Sequence, residues 1–578
     1  MTAAVLWLSP VLLPLTGALL VRLPGRWWPW LLPLAPLPAG ALALADAPAP
    51  PLDLPWVLLD ARLLLDPVGR VLLAMTALLW AAAGLAARAR ATDRRGFGSL
   101  WLLTLAGNVG LLLAGDVVSF YALFALMTFA AYGLVVDDRS GEALRAGRVY
   151  VVFAVLGESL LLAGFLVAVG EAGGAVDLTV VRDAVADSDQ RDLIIGLLLA
   201  GFAVKAGVVP LHGWLPLAHP AAPVPASAVL SGAMLKAGLV GWLRLMPLGE
   251  ATLPGWSAAL LTVGLLSAFA GVAIGLTQRE AKVVLAYSSV SQMGFVALLV
   301  GVAASSPEAS AAGIAAAVAY AVHHGLAKGA LFLGVGMVGD RAGPWRRRLV
   351  AAGLALPALS LAGLPLSSGA LAKVWAKDAL ALAPGGWPEP VTTALSFAAV
   401  GTTLLMARLL WVLRGAPAKG DPSVARDLAW AVVLAAVAVG TWALPAVLGP
   451  VIALPPPSPG LVVDALWPVA LGTALAALVW WLAERTPTRV PAVPAGDVVV
   501  SAESVVRWLA ACWRDLLAPA LGRLVAFGDR SRRRVAGLLA AGGAVERVDL
   551  RLTRWRTAGA LFGLVAAVLL ATLLLPAA

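Results

Sequence analysis

About sixteen stretches of roughly 20 mostly apolar residues run along this chain, and one spanning helix needs about that length. They cover approximately 3–21, 27–45, 67–87, 97–114, 116–136, 149–170, 193–210, 226–247, 257–277, 282–304, 309–338, 349–372, 390–413, 428–449, 461–482 and 557–577. The pattern predicts an all-α polytopic membrane protein. Composition agrees: charged residues make up 13% and hydrophobic residues 61%, whereas a soluble domain carries about 25% charged residues. No basic region precedes the first apolar run, Met1–Val21, so that run is read as a span and not as a secretory leader.

The loops between these stretches segregate by charge. One set holds Arg22 and Arg26, Arg88 to Arg95, Arg139 to Arg148, Arg279 and Lys282, Arg341 to Arg348, and Arg414 to Arg426. The alternate set is mainly acidic, with Asp46 to Asp66, Glu171 to Asp192, Glu250 and Glu308. Lysine and arginine set orientation, so the basic loops are expected to be cytoplasmic and both termini outside. The net charge of +10 is therefore the bias of a membrane protein. No basic soluble domain suggests a nucleic-acid partner.

The stretch 485–556 differs. A proline-rich linker, "TPTRVPAVPAGD", leads into "AESVVRWLAACWRDLLAPALGRLVAFGDRSRRRVAGLL". Apolar residues recur there every three or four positions with arginines between, the pattern of a basic amphipathic helix lying at the headgroups or against a partner. A last span, 557–577, ends the pattern.

Ionisable residues inside spans are costly and mark ion pathways. Glu158, Lys205, Lys236, His324 and Lys328 qualify, and Lys373 comes after a proline-containing break at Pro365. His324 and Lys328 are four apart and share a helix face. His323 points elsewhere and is less favoured, while His212 and His219 read as structural parts of a proline-rich segment. Lys205 precedes a break at Pro210. Backbone freed at Pro210 or Pro365 must be buried in protein or line a watery cavity. An ammonium taken out of water holds its proton less tightly, and a nearby carboxylate tightens it again. Histidine, with a reference pKa of about 6.5, is an intermediate carrier. The set points to proton relay. With one cysteine, Cys512, and four histidines, no metal site or cofactor is expected. No nucleophile elbow, phosphate loop or HExxH motif occurs.

"VKAGVVPLHGWLPLAHPAAPVPASAVLSGAMLKAGLVGWLRL", "REAKVVLAYSSVSQMGF", "HHGLAKGALFLGVGMV" and "LAGLPLSSGALAK" together resemble the proton-conducting antiporter-like membrane subunits. That superfamily includes the antiporter-like subunits of respiratory complex I, Mrp-type cation/proton antiporters, the membrane arms of energy-converting hydrogenases, and the membrane partner in bacterial inorganic-carbon accumulation. The resemblance covers about residues 65 to 450. It implies two inverted five-helix repeats, each with a broken helix. In its terms Lys205 is the central lysine of the first broken helix and Lys236 the bridging lysine. His324 and Lys328 are the central pair of the second repeat, and Lys373 is the terminal lysine. One position departs: where the family usually places a glutamate partnering the first-repeat lysine, this chain has Ala125. Glu158, one span later, is the candidate replacement.

The expected organisation is N-terminal spans over 1–96, a first repeat over 97–247, a second over 257–413, additional spans over 428–482, the linker and basic helix over 485–556, and a last span over 557–577. The expected function is proton translocation, with exchange of Na+ or K+ as a variant, inside a multi-subunit respiratory or antiporter-type complex of the bacterial inner membrane. Its partners would be other membrane subunits and the bilayer. The alternative is a membrane scaffold for a soluble catalytic subunit.

Overall fold

The computed structural model describes residues 2–500 apart from 24, 26, 46–49, 56, 339–342, 416–420, 449–458, 486–492 and 498. Contacts divide the chain after Val493. Of the second unit only a turn and the start of a helix are described, with the Val500 N–H donating to the Gly496 carbonyl at 3.0 Å. The amphipathic pattern beyond 500 and the span 557–577 lie outside the described residues.

The first unit is a helical bundle. It begins with α1 (Thr2–Leu20), a short 3-10 turn at Trp28–Trp30, α2 (Leu31–Leu34) and α3 (Leu37–Ala43). A two-stranded antiparallel hairpin, β1 (Leu52–Leu54) and β2 (Ala61–Leu63), comes next. Then come α4 (Pro67–Asp93), α5 (Arg95–Leu113), α6 (Val117–Val135), α7 (Gly141–Glu171), the short α8 (Leu178–Asp187) and α9 (Arg191–Ala206). After a loop the chain continues as α10 (Leu215–Ala221), α11 (Val224–Val229), a π-helical turn (Leu230–Met234) and α12 (Lys236–Leu245). The remainder comprises α13 (Pro254–Leu276), α14 (Ala281–Ala303), α15 (Pro307–Val338), α16 (Pro344–Ala362), α17 (Ser368–Ala381), α18 (Pro388–Arg414), α19 (Val424–Leu448) and α20 (Pro459–Arg485).

Helix starts are set by short polar side chains that accept from otherwise unpaired N–H groups of the first turn. Asp116 accepts from Ser119 at 2.7 Å, Ser140 from Ala143 at 3.1 Å and Ser367 from Ala370 at 3.3 Å. Among the described residues, ten helices are long and apolar enough to cross a membrane. The most apolar windows of α14 and of the 224–245 segment are wholly buried, whereas that of α20 is mostly exposed. The centre of the bundle is therefore lined by protein on all sides, and α20 presents an apolar rim.

Three boundaries differ from the hydropathy reading. The stretch 27–45 is a chain of short helices, because Pro29, Pro33, Pro36 and Pro38 interrupt its hydrogen-bond ladder. The two broken helices end before their prolines, at Gly207 (φ +70°) and Gly363 (φ +95°). Without a Cβ, glycine takes the left-handed conformation that closes a helix, and a proline is readily accommodated just beyond it. Pro210 and Pro365 lie in the loops after the breaks, and the glycines make them.

Ion pairs tie loops together at each end of the bundle. Arg62 of the hairpin meets Asp177 at 2.6 Å, and Arg182 meets Glu250 at 2.7 Å. Arg244 reaches Asp66 at 2.9 Å and donates to the carbonyls of Leu111, Leu112 and Ala114, closing the C-terminal end of α5. At the other end of α4, Arg90 pairs with Asp137 and Asp138. Arg346 pairs with Asp427 at 2.6 Å.

Candidate functional site

The candidate ionisable residues fall into three groups along the buried middle of the bundle. The first joins α6, α7 and α9. Lys205 is in the last turn of α9, where helix carbonyls turn their negative ends toward the break. Its Nζ donates to Thr128 Oγ1 at 3.1 Å and lies 5.6 Å from the centroid of the Phe124 ring. Glu158 is buried on α7 and faces the same space. A cavity of about 20 Å³ is lined by Glu158, Lys205, Thr128, Tyr150 and Trp214, and one water needs roughly 10–15 Å³ and a few polar partners. Tyr150 donates to the Thr128 carbonyl at 2.9 Å, and Trp214 donates to the Val204 carbonyl at 2.8 Å. These two bonds fix the walls of the cavity.

The second group joins the π-helical turn, α12, α14 and α15. A π turn inserts an extra residue and rotates the succeeding turns of the helix, a device found often at functional sites. Here it precedes Lys236, whose Nζ donates to the Ser231 carbonyl at 2.8 Å and lies 2.9 Å from His324 Nδ1. The two segments come close because Gly232 and Gly325 face one another: a Cβ on Gly325 would lie 2.6 Å from the Gly232 carbonyl oxygen. Lys328 Nζ donates to the Leu285 carbonyl at 2.9 Å. His324 and Lys328 share a helix face, as their spacing predicts, but each bonds a different partner. Ser231 and Ser289 hydroxyls meet at 2.8 Å beside them.

The third group surrounds the second break. His323 Nδ1 is 2.9 Å from Ser368 Oγ, at the start of α17, and Ser368 Oγ is 3.3 Å from Ser360 Oγ on α16. Lys373 reaches back across the break and donates to the carbonyls of Leu361 at 2.9 Å and Ala362 at 2.6 Å. Lys205 and Lys373 stand on opposite sides of their breaks in sequence. Both ammonium groups nevertheless sit at the C-terminal end of the leading half-helix. A cavity of about 180 Å³ opens beside Lys373, with Lys377, Asp378, Ser396 and Asp464 on its wall. Between the second and third groups, Tyr320 donates to Gln292 Oε1 at 2.9 Å, and Gln292 donates to Thr402 Oγ1 at 3.2 Å.

Sequence reasoning ranked His323 below His324, yet the structure gives it a hydrogen bond to the second broken helix. Thr128 escaped notice because a lone threonine in an apolar run carries no periodic signal. Among the described residues no group of three His, Cys, Asp or Glu side chains converges to hold a metal ion.

Comparison with known proteins places this arrangement. The transmembrane family described as NADH:quinone oxidoreductase/Mrp antiporter matches residues 114–380, which include all three groups. Hydrogenase-4 component B of Escherichia coli (strain K12) is 31% identical over 245 residues, 41% of this chain and 36% of that protein. NADH-quinone oxidoreductase subunit N of Rubrobacter xylanophilus is 28% identical over 363 residues, 59% of this chain and 74% of that protein. A chain of the Mrp complex from Dietzia sp. DQ12-45-1b superposes with a TM-score of 0.73 at 25% identity, covering 96% of this chain and 63% of that one. The chain thus spans 36% of the length of the hydrogenase component.

Proposed function

The chain belongs to the antiporter-like membrane subunit superfamily of complex I, Mrp and hydrogenase assemblies, and from that premise we propose that it is a proton-translocating subunit of a larger membrane complex. In this reading Glu158, Lys205, Lys236, His324, Lys328 and Lys373 hand protons along the bundle. Residues 97–247 and 257–413 act as two inverted repeats within a set of about sixteen spans, a number that fits the apolar stretches. Basic loops face the cytoplasm and both termini lie outside.

The observation that carries the reading is the 2.9 Å contact between Lys236 Nζ and His324 Nδ1. Lys236 comes from the proposed first repeat and His324 from the second, so this bond joins the two halves of the route. Two such nitrogens at hydrogen-bond distance share one proton, and a neighbouring charge decides which of them holds it. Glu158 takes the place of the acid missing at Ala125, because it shares a one-water cavity with Lys205.

Proton flux tests this. Lys236→Ala and Lys328→Ala, each in the assembled complex in sealed vesicles with a pH-sensitive dye, are expected to lower flux about tenfold or more. Unchanged flux in both would favour the scaffold role instead.

A further inference from the structure

The proposed route has a middle but no assigned cytoplasmic entrance. His219, on the short helix α10 between the two parts of the first broken segment, is fully buried. Both of its ring nitrogens lack a hydrogen-bond partner among the described residues. A buried polar group with no partner is uncommon and calls for an explanation such as ordered water or a chemical role. Its ring stacks on Phe332 with centroids 4.5 Å apart and planes 22° apart, and Ser227 Oγ donates to the His219 backbone carbonyl at 3.0 Å. The stack sets the plane of the ring and leaves both nitrogens unused.

Two lysines reach the segments beside this ring. Lys282, at the start of α14, donates to the carbonyls of Pro220 at 3.3 Å and Ala222 at 2.5 Å, on the turn that directly succeeds His219. Lys328 lies one helical turn before Phe332 and donates to Leu285, one turn after Lys282. Lys282 belongs to the short basic loop, with Arg279 and the exposed Glu280, that the charge pattern assigns to the cytoplasmic side.

We propose that His219 is the entry relay of the proton route, passing protons from Lys282 at the cytoplasmic end of α14 to Lys328 in the central group. The proposal rests on the proton-translocation reading above. A proton leaves the Lys282 ammonium, through water, for one imidazole nitrogen. The imidazolium releases the proton on its other nitrogen toward the neutral amine of Lys328. Lys282 is then recharged from the cytoplasm through the carboxylate of Glu280, and tautomer exchange through water moves the remaining His219 proton to the nitrogen facing Lys328 before the next transfer. Imidazole suits this step because it can accept on one nitrogen while donating from the other. Two orphan nitrogens on a stacked ring are the geometry such a relay requires.

The test uses the full chain with its co-assembled subunits in sealed vesicles, with proton uptake monitored by a pH-sensitive dye under an imposed potential. His219→Ala is expected to lower flux about tenfold or more, with the melting temperature kept, and millimolar imidazole is expected to restore part of it. Adding Lys282→Ala should lower flux no further, because residues acting in one step are not additive. Flux above half of the parent value overturns the relay. So does a loss that imidazole fails to restore, or a double variant in which the two losses multiply. If the alanine variant does not assemble, His219→Gln, which keeps the bulk but cannot carry the proton, decides by the same flux threshold. Lys328→Ala and Lys236→Ala separate the two levels: parent flux in both variants defeats the translocation reading itself, while loss there with full flux at His219→Ala defeats only the relay.

Discussion

A carboxylate placed in a membrane interior survives there because something offsets the loss of water. Glu158 shares a cavity with space for a single water with Lys205 on α9 and Thr128 on α6, and those two bond each other while both carboxylate oxygens lack a direct hydrogen-bond partner among the described residues. The expected consequence is asymmetric. Glu158→Gln removes the charge that steadies Lys205 but keeps the volume, so it should lower proton flux at least as much as Lys205→Ala. Near-normal flux in vesicles carrying Glu158→Gln would remove Glu158 from the route. The charges themselves were legible in the sequence, since each interrupts an apolar run. Their partners were not. Thr128, Ser231, Ser289 and the carbonyls of Leu285, Leu361 and Ala362 are ordinary residues whose role comes from the packing of distant helices.

Elements bring these residues into reach through small-residue contacts and closures. The approach of the π turn to α15 depends on Gly232 and Gly325, with Met75 against the same face of α15. Gly325→Ala would push a methyl group into the Gly232 carbonyl and the Met75 sulfur. Overpacking of this kind costs about 1–3 kcal/mol, and here it also lengthens the Lys236–His324 contact. The variant should melt lower and lose flux together, whereas Ala327→Gly on the same helix should lower stability without the same loss of flux. A Gly325→Ala chain with parental stability and flux would show that the close approach is not needed.

The hairpin is a second such element. Burial alone would raise the pKa of Asp177, but hydrogen bonds from the Thr179 hydroxyl and N–H, the Val180 N–H and Arg62 outweigh it and hold the carboxyl below its usual range. A folded value below the unfolded one stabilises above the unfolded pKa, and that contribution fades as pH falls through the folded value. Amide protection factors in 52–63, corrected for the intrinsic exchange rate, should therefore fall on acidification below about pH 4, and Asp177→Asn should remove most of that dependence. Protection factors that ignore pH in the parent would break the link. No sequence signal pointed to this hairpin, because its strands of three residues are too short to show alternation. The helix breaks were visible as proline clusters, but the residues that end the helices are glycines, whose left-handed conformation becomes evident only in the fold.

Across the whole molecule, the ion pairs respect the sidedness read from loop charge. Arg62 with Asp177 and Arg182 with Glu250 join loops of the acidic set. Arg90 with Asp137 and Arg346 with Asp427 join loops of the basic set. Alternation of loop charge was thus a reliable guide to which helix ends meet, because short loops on one side of a membrane can only pair with each other. In a Cys512→Ser background, a single cysteine at Asp53 or Glu250 should react with an impermeant maleimide from one face of the membrane, and one at Arg139 or Arg279 only from the other. Labelling of both pairs from the same face would overturn the arrangement. Helix continuity was less legible, since a proline-rich stretch such as 27–45 is as apolar as an uninterrupted helix.

Glu158 and His324 lie near the midpoints of long helices, and Lys205 and Lys373 lie beside breaks within the bundle. Sites at one depth differ little in membrane voltage. A full crossing by one charge at 100 mV is worth about 2.3 kcal/mol, but a step sideways along such a row collects almost none of it. Steps along the row would then be nearly indifferent to membrane potential. On the proposed route, voltage would act where the proton enters and leaves the row, so the electrical energy would be exchanged at the two ends of the path and the interior would serve as a conductor between them.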